Sequence, residues 1–254
     1  MINYSGIESK SLLGKLLRLP LRLLPRNLTV RIIQGKLRGK KWIVGSFNHG
    51  CWLGSYEFDK QQLMTKMVKP GTVFLDIGAN VGFYTLLASA LVGDKGKVFA
   101  FEPLPKNIDF LERHLKINSI RNATVFRAAV SDRSGTASFQ ESSISDRMGR
   151  LSEGGTLTVE VLSLDDLFIK GVLPLPDYLK IDVEGGEYSV LKGAQHILTV
   201  GRPIIFLATH GSEVHSQCLS LLRSLGYVCQ SIDASKDVAS CDELIASKST
   251  EEQE

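Results

Sequence analysis

Nowhere does this chain of 254 residues carry an uninterrupted apolar stretch of the roughly 20 residues that a bilayer-spanning helix needs. Its leucine-rich segment, residues 11–24, is broken by Lys15, Arg18, Pro20 and Arg22, which also spoils the apolar run of a signal peptide, so neither membrane insertion nor secretion is expected. Cysteine is scarce: Cys51, Cys218, Cys229 and Cys241 form no C-x-x-C pair, which excludes a thiolate zinc site and a disulfide framework and fits a reducing, cytoplasmic setting. A large charge of one sign is missing too. The 30 basic and 27 acidic residues leave a net charge of +3, too little and too interleaved for a nucleic-acid binder. No internal repeat is present. What remains is an ordinary globular composition, 43% apolar and 22% charged, in a chain long enough for one substantial domain and an appendage.

From Thr72 onward, short β-branched and aromatic runs alternate with helix-period segments, the pattern of βαβ units around a parallel sheet. Strands are predicted near 72–77, 97–101, 123–130, 177–183, 203–209 and 227–232, and helices near 81–92, 104–118, 186–198 and 213–224. Gly93, Gly201 and Gly226 are plausible helix stops. The fold class is therefore α/β, doubly wound and mostly parallel. Residues 132–176 are too long for a simple connection and predict a surface hairpin or flap, with a short helix starting at Asp165 and Asp166. The domain is expected over 70–246, after an arm and appendage over 1–69 and before a frayed tail over 247–254.

Val73-Phe74-Leu75 runs straight into Asp76-Ile77-Gly78-Ala79-Asn80-Val81-Gly82 and an apolar helix, so a glycine turn joins a strand to a helix N-terminus. Such a turn lets backbone N–H groups approach a ligand closely. A dinucleotide fingerprint aligned on Gly78 would need glycines where Asn80 and Phe83 stand. D-x-G-x-N-x-G instead offers Asp76 to the ammonium of an amino acid and backbone donors to its carboxylate, which suits S-adenosylmethionine. The second strand ends in Phe101-Glu102-Pro103 and puts a carboxylate where a ribose diol would lie; the third ends in Ala128-Ala129-Val130, small and apolar enough for adenine. Cofactor contacts are thus expected from Asp76, Gly78, Ala79, Asn80, Gly82, Glu102, Pro103, Ala129 and Asp182.

The run from Tyr178 to Glu187 reads as a buried strand that ejects Asp182 and Glu184 at its C-terminal end, on one face by strand alternation. Methyl transfer to oxygen needs an aligned hydroxyl relieved of its proton, and a carboxylate or His supplies the base. Asp182, Glu184 and His210, the last at the end of the fifth strand, are the candidate catalytic residues. The same three could hold Mg²⁺, which the residues alone leave undecided.

In these motifs the chain resembles the FkbM family of S-adenosylmethionine-dependent methyltransferases across roughly 40–232, from Phe74–Gly82, Phe101-Glu102-Pro103 and Ala129–Asp132 to Leu179–Gly185, with Gly50–Glu57 similar to the segment preceding the cofactor domain. The resemblance implies a seven-stranded sheet with an antiparallel final strand, places Asp76, Gly78, Asn80, Glu102 and Asp182 at the cofactor, and implies O-methylation of a sugar, glycan or related metabolite. Many relatives carry an acid two residues before the histidine of the fifth strand; here Ala208 stands there, which questions an acid–histidine partnership. The competing readings are a nicotinamide-dependent oxidoreductase and a non-catalytic nucleotide-binding module. Leu12 to Arg26, leucines among basic residues, would pack on the domain or on a second subunit of a homodimer, or touch the inner face of a membrane peripherally.

Overall fold

The computed structural model describes residues 2–4, 21, 23–141, 149–152 and 154–248. Most of the Leu12 to Arg26 segment therefore lies outside the described residues, as do 142–148 and 153 of the expected flap and 249–254 of the expected tail. Two short antiparallel strands, β1 (Thr29–Arg31) and β2 (Lys41–Ile43), are followed by helices α1 (His49–Leu53) and α2 (Phe58–Met67). Next come β3 (Val73–Ile77), α3 (Phe83–Val92), β4 (Lys97–Phe101), α4 (Pro105–Ile117) and β5 (Ala123–Phe126). The inserted region holds β6 (Ala128–Val130), β7 (Gly135–Glu141), β8 (Gly149–Leu151), β9 (Leu157–Leu162) and α5 (Leu164–Ile169). The chain then forms β10 (Tyr178–Ile181), α6 (Glu187–Lys192), α7 (Gln195–Val200), β11 (Ile204–Ala208), α8 (Ser212–Ser224), β12 (Tyr227–Ser231) and β13 (Glu243–Lys248).

Seven strands make the main sheet, in the order β12-β13-β11-β10-β3-β4-β5, with β13 antiparallel to both of its neighbours. The order reverses direction between β10 and β3, and in open α/β sheets the crevice outside the carboxyl ends at such a point is where ligands bind. Side-chain alternation divides the core. Phe74, Tyr178 and Phe206 face one layer, which includes α3 and α4, while Leu75, Ile77, Leu179, Ile181, Ile205 and Leu207 face the other. Burial on both faces is why the central strands read as nearly continuous apolar runs.

Three sequence expectations are corrected. The strand expected over 123–130 is two: β5 pairs with β4, whereas β6 pairs in parallel with β9 in a separate four-stranded sheet with β7 and β8. The apolar pattern continues through both pieces, so it carries no mark of the change of partner. The helix expected over 186–198 breaks into α6 and α7 at Gly193, where a Cβ would stand 2.1 Å from the Ser131 carbonyl oxygen. The tail expected to fray from Ser247 is held as far as Lys248, because β13 pairs Ser247 with Val228 and Lys248 with Tyr227.

Residues before β3 share the core with α3 and α4. Trp42 is fully buried and stacks on His114 of α4 with ring centroids 3.9 Å apart. His114 Nδ1 donates to the Val81 carbonyl at 2.8 Å and Nε2 accepts the Ile43 N–H at 3.1 Å, so one neutral ring ties β2 to the glycine loop. Burial holds this imidazole down at a pKa of about 4. The folded value lies below the unfolded one, so the unfolded chain takes up the proton first as pH falls. Stability is complete above pH ~6.5 and is lost by up to about 3 kcal/mol as pH falls toward 4. Chemical denaturation at a series of pH values should show that loss, and His114→Gln should remove this part of the slope. Among the described residues no helix is long and apolar enough to cross a membrane.

Candidate functional site

The carboxyl ends of β3, β4, β10 and β11 open into a cavity of about 590 Å³, within the roughly 300–1,000 Å³ usual for small-molecule sites. Gly78, Ala79, Asn80, Glu102, Pro103, Ala129, Asp182, Glu184 and His210 all line it, so most of the residues singled out in the sequence converge. One end is apolar, walled by Leu104, Ala128, Ala129, Phe139 and Leu151. The other end is charged.

Asp76 and Gly82 are the exceptions. Asp76 is fully buried on β3 beneath the cavity, where its Oδ2 accepts the Thr85 hydroxyl at 2.6 Å and its Oδ1 lies 3.4 Å from Lys180 Nζ. Lys180 is its register partner on β10, so strand pairing puts the two on one face of the sheet. Asp76 thus reaches the cavity through Lys180 rather than by direct exposure. Gly82, at φ +90°, packs against Leu111 of α4, whose Cδ1 would lie 2.4 Å from an added Cβ. Its need for glycine comes from this left-handed backbone and from helix packing together.

The expectation that the loop's N–H groups wait for an anion is also corrected. Gly78 and Ala79 donate to the Phe101 carbonyl at 3.0 and 2.9 Å, Asn80 to Glu102 Oε2 at 2.8 Å, Val81 to its neighbour Asn80 Oδ1 at 2.8 Å, and Gly82 to the Ala79 carbonyl at 2.9 Å. The close approach of the end of β4 takes the first three. Glu102 is held from the other side as well, its Oε1 accepting from Leu104 N at 3.0 Å and Asn107 Nδ2 at 3.1 Å. Burial pushes the Glu102 carboxyl up in spite of these bonds.

At the charged end, Asp182 and Glu184 meet His210, but not by strand alternation: β10 stops at Ile181, and a turn with Glu184 at φ +56° and Gly185 at φ +102° brings Glu184 back. His210 Nε2 lies 3.9 Å from Asp182 Oδ1 and 3.7 Å from Glu184 Oε2. Ligating atoms of the three fall within 4.8 Å of one another. The acid–histidine partnership that Ala208 placed in question exists through another residue. Fully buried Glu187, in the first turn of α6, accepts His210 Nδ1–H at 2.8 Å and also the N–H of Gly185 at 3.0 Å. The Glu187 hydrogen bond, opposed by burial and aided by the Asp182 charge, raises the imidazole to about 9. Burial pushes Asp182 up, but Lys180, Lys60 and His210 outweigh it and hold this carboxyl below its ordinary value; Glu184 is raised by burial.

A second charged group, absent from the sequence expectations, lines the same end. Lys60 of α2 bridges Glu57 and Glu243 at 2.6 Å each, and Tyr84 donates to Glu57 at 2.8 Å. Burial lifts Glu243 to about 7 against the pull of Lys60. Glu57 closes the Gly50–Glu57 motif, the one signal in the sequence that pointed this way; Glu243 gave none.

The family described as "Methyltransferase FkbM domain" matches residues 76–229, more than half of the chain. The hexuronic acid methyltransferase AglP of Haloferax volcanii is 34% identical over 146 residues, covering 56% of this chain and 58% of its own length. The 2-O-methyltransferase NoeI of Sinorhizobium fredii is 29% identical over 172 residues, covering 60% and 68%. The chain thus spans less than two thirds of AglP. The crystal structure of methyltransferase FkbM from Methylobacillus flagellatus is 16% identical at a TM-score of 0.49, covering 79% of this chain and 55% of that one.

Proposed function

Because the chain belongs to the FkbM methyltransferase family, we propose that it transfers a methyl group from S-adenosylmethionine to a hydroxyl of a sugar or glycan. The observation that carries this reading is the cavity at the switch point, lined by an apolar wall, by Glu102 and by a carboxylate cluster with His210. A cation such as a sulfonium suits the carboxylate-rich end, and the small-residue wall at Ala128 and Ala129 suits a flat base. The sugar acceptor is supported by AglP and NoeI, whose names are those of a hexuronic acid methyltransferase and a 2-O-methyltransferase.

The cofactor would supply an electrophilic methyl group. Ala79, Asn80, Glu102 and Ala129 would hold it, and the residues of the charged end would hold the acceptor in line with that methyl, an alignment able to contribute up to about 7–11 kcal/mol. Glu187 fixes which nitrogen of His210 faces the cavity, leaving Nε2 beside Asp182 and Glu184 to receive the hydroxyl proton. Mg²⁺ fits this donor set poorly, since the ion prefers an all-oxygen shell and one of the three clustered groups offers nitrogen, so no step is assigned to it. Calorimetry with S-adenosylmethionine, followed by transfer of labelled methyl to a panel of glycosides, tests the proposal. Binding with transfer is expected; a chain that binds no S-adenosylmethionine would remove the reading altogether.

A further inference from the structure

We infer that the acceptor end of the cavity selects a hydroxyl on an uncharged or cationic sugar and rejects uronides and phosphorylated sugars, an inference that rests on the proposed sugar O-methylation and sets this chain apart from AglP, which is named a hexuronic acid methyltransferase. Four carboxylate residues line that end, Glu57, Asp182, Glu184 and Glu243. Among the described lining residues the cations are Lys180 and His210, and no arginine is present. Arginine is the side chain best shaped to grip a carboxylate or phosphate.

Neither lining cation is available to an anionic acceptor. Lys180 is almost completely buried, donates to the Gly78 carbonyl at 2.8 Å, and lies 3.4 and 3.6 Å from Asp76 and Asp182. His210 donates to Glu187 through Nδ1, with Nε2 flanked by Asp182 and Glu184. Lys60, behind the wall, bridges Glu57 and Glu243. Each cation therefore already faces two or more carboxylates.

The totals leave a clear sign. Asp76, Glu57, Asp182, Glu184, Glu187 and Glu243 stand against Lys60, Lys180 and His210. Even with Glu243 ionised in only part of the molecules at neutral pH, the negative charges exceed the positive, and the single net positive charge of S-adenosylmethionine offsets only part of the difference. A concave wall of one sign focuses its field on whatever enters. An anionic sugar would shed its water there and meet like charge without a partner, whereas a neutral one meets acceptors for its hydroxyls.

The test compares kcat/KM for three acceptors on one ring: a neutral hexoside, the uronide formed by oxidising its primary alcohol, and the amino-sugar counterpart. The neutral and amino sugars should exceed the uronide by about tenfold or more at low salt, and the gap should narrow as salt screens the field. In Glu184→Gln the ratio should move toward the uronide whatever happens to the overall rate. A uronide used as well as its neutral counterpart overturns the inference, as does a ratio that neither salt nor Glu184→Gln can move. If the protein binds S-adenosylmethionine by calorimetry yet methylates none of the three, the sugar reading itself fails and this inference falls with it.

Discussion

His210→Gln is expected to slow methyl transfer by roughly 10²–10⁴-fold, the usual worth of a positioned general base, while leaving S-adenosylmethionine affinity nearly unchanged. The split follows from where the ring sits. His210 lies with Asp182 and Glu184 and hydrogen-bonds Glu187, and it makes no contact with Glu102. The pH dependence carries the sharper test. With its pKa near 9, only about one ring in a hundred is neutral at pH 7 in the ligand-free protein. If the neutral ring is the base, kcat/KM rises with pH to about 9 and then levels, and His210→Gln abolishes that rise. Glu187→Gln removes the largest cause of the elevation and should move the rise down toward the ordinary histidine value near 6.5. Since Glu187 acts through His210, the double variant should be little worse than His210→Gln alone. A wild-type profile already flat between pH 6 and 9 would transfer the base role to Asp182 or Glu184.

The sheet was legible because its evidence is local: each central strand is a short apolar run next to a glycine or an acid, and β3, β4, β10 and β11 form where that pattern places them. Residues at strand ends converge for the same reason, since parallel strands deliver Gly78, Glu102 and Asp182 to one edge. Hard to read are the roles that depend on a partner distant in sequence. Asp76 reads as a ligand contact until β10 places Lys180 beside it; the loop donors read as vacant until Phe101 and Glu102 arrive from β4. Glu187 has no role in the sequence reading beyond closing the run from Tyr178, and only the approach of the end of β11 makes it the partner of His210. Lys60 joins residues 183 positions apart in its contact with Glu243, a link no periodicity encodes.

Gly78→Ala should be the most damaging single-methyl change in the chain's glycine loop, because two independent costs meet at that position. At φ +76° an alanine pays about 1–2 kcal/mol for the left-handed conformation. Its Cβ would also stand 1.9 Å from the Asp182 carbonyl oxygen and 2.9 Å from the carbonyl carbon, so backbone must move. The segment displaced is the one that leaves β10 and carries Asp182 and Glu184, and Asp182 N is itself bonded to the Ile77 carbonyl at 3.1 Å. A total loss of about 3 kcal/mol or more is expected, a drop of roughly 6–12 °C in Tm for a chain of this size, together with loss of S-adenosylmethionine binding. Two other glycines separate the causes. Gly93, at φ +66°, has nothing within 4 Å of an added Cβ, so Gly93→Ala carries the conformational cost alone. Gly82→Ala meets only the end of the Leu111 side chain first, and shortening that side chain with Leu111→Ala should relieve part of the clash. The expected order of destabilisation places Gly78 above both Gly82 and Gly93, the last of which sits at φ +66°, ψ −172°. Equal melting temperatures for the Gly78 and Gly93 variants would mean that the loop and the Asp182 turn do not press together as described, and the geometry that unites cofactor loop and charged end would lose its basis.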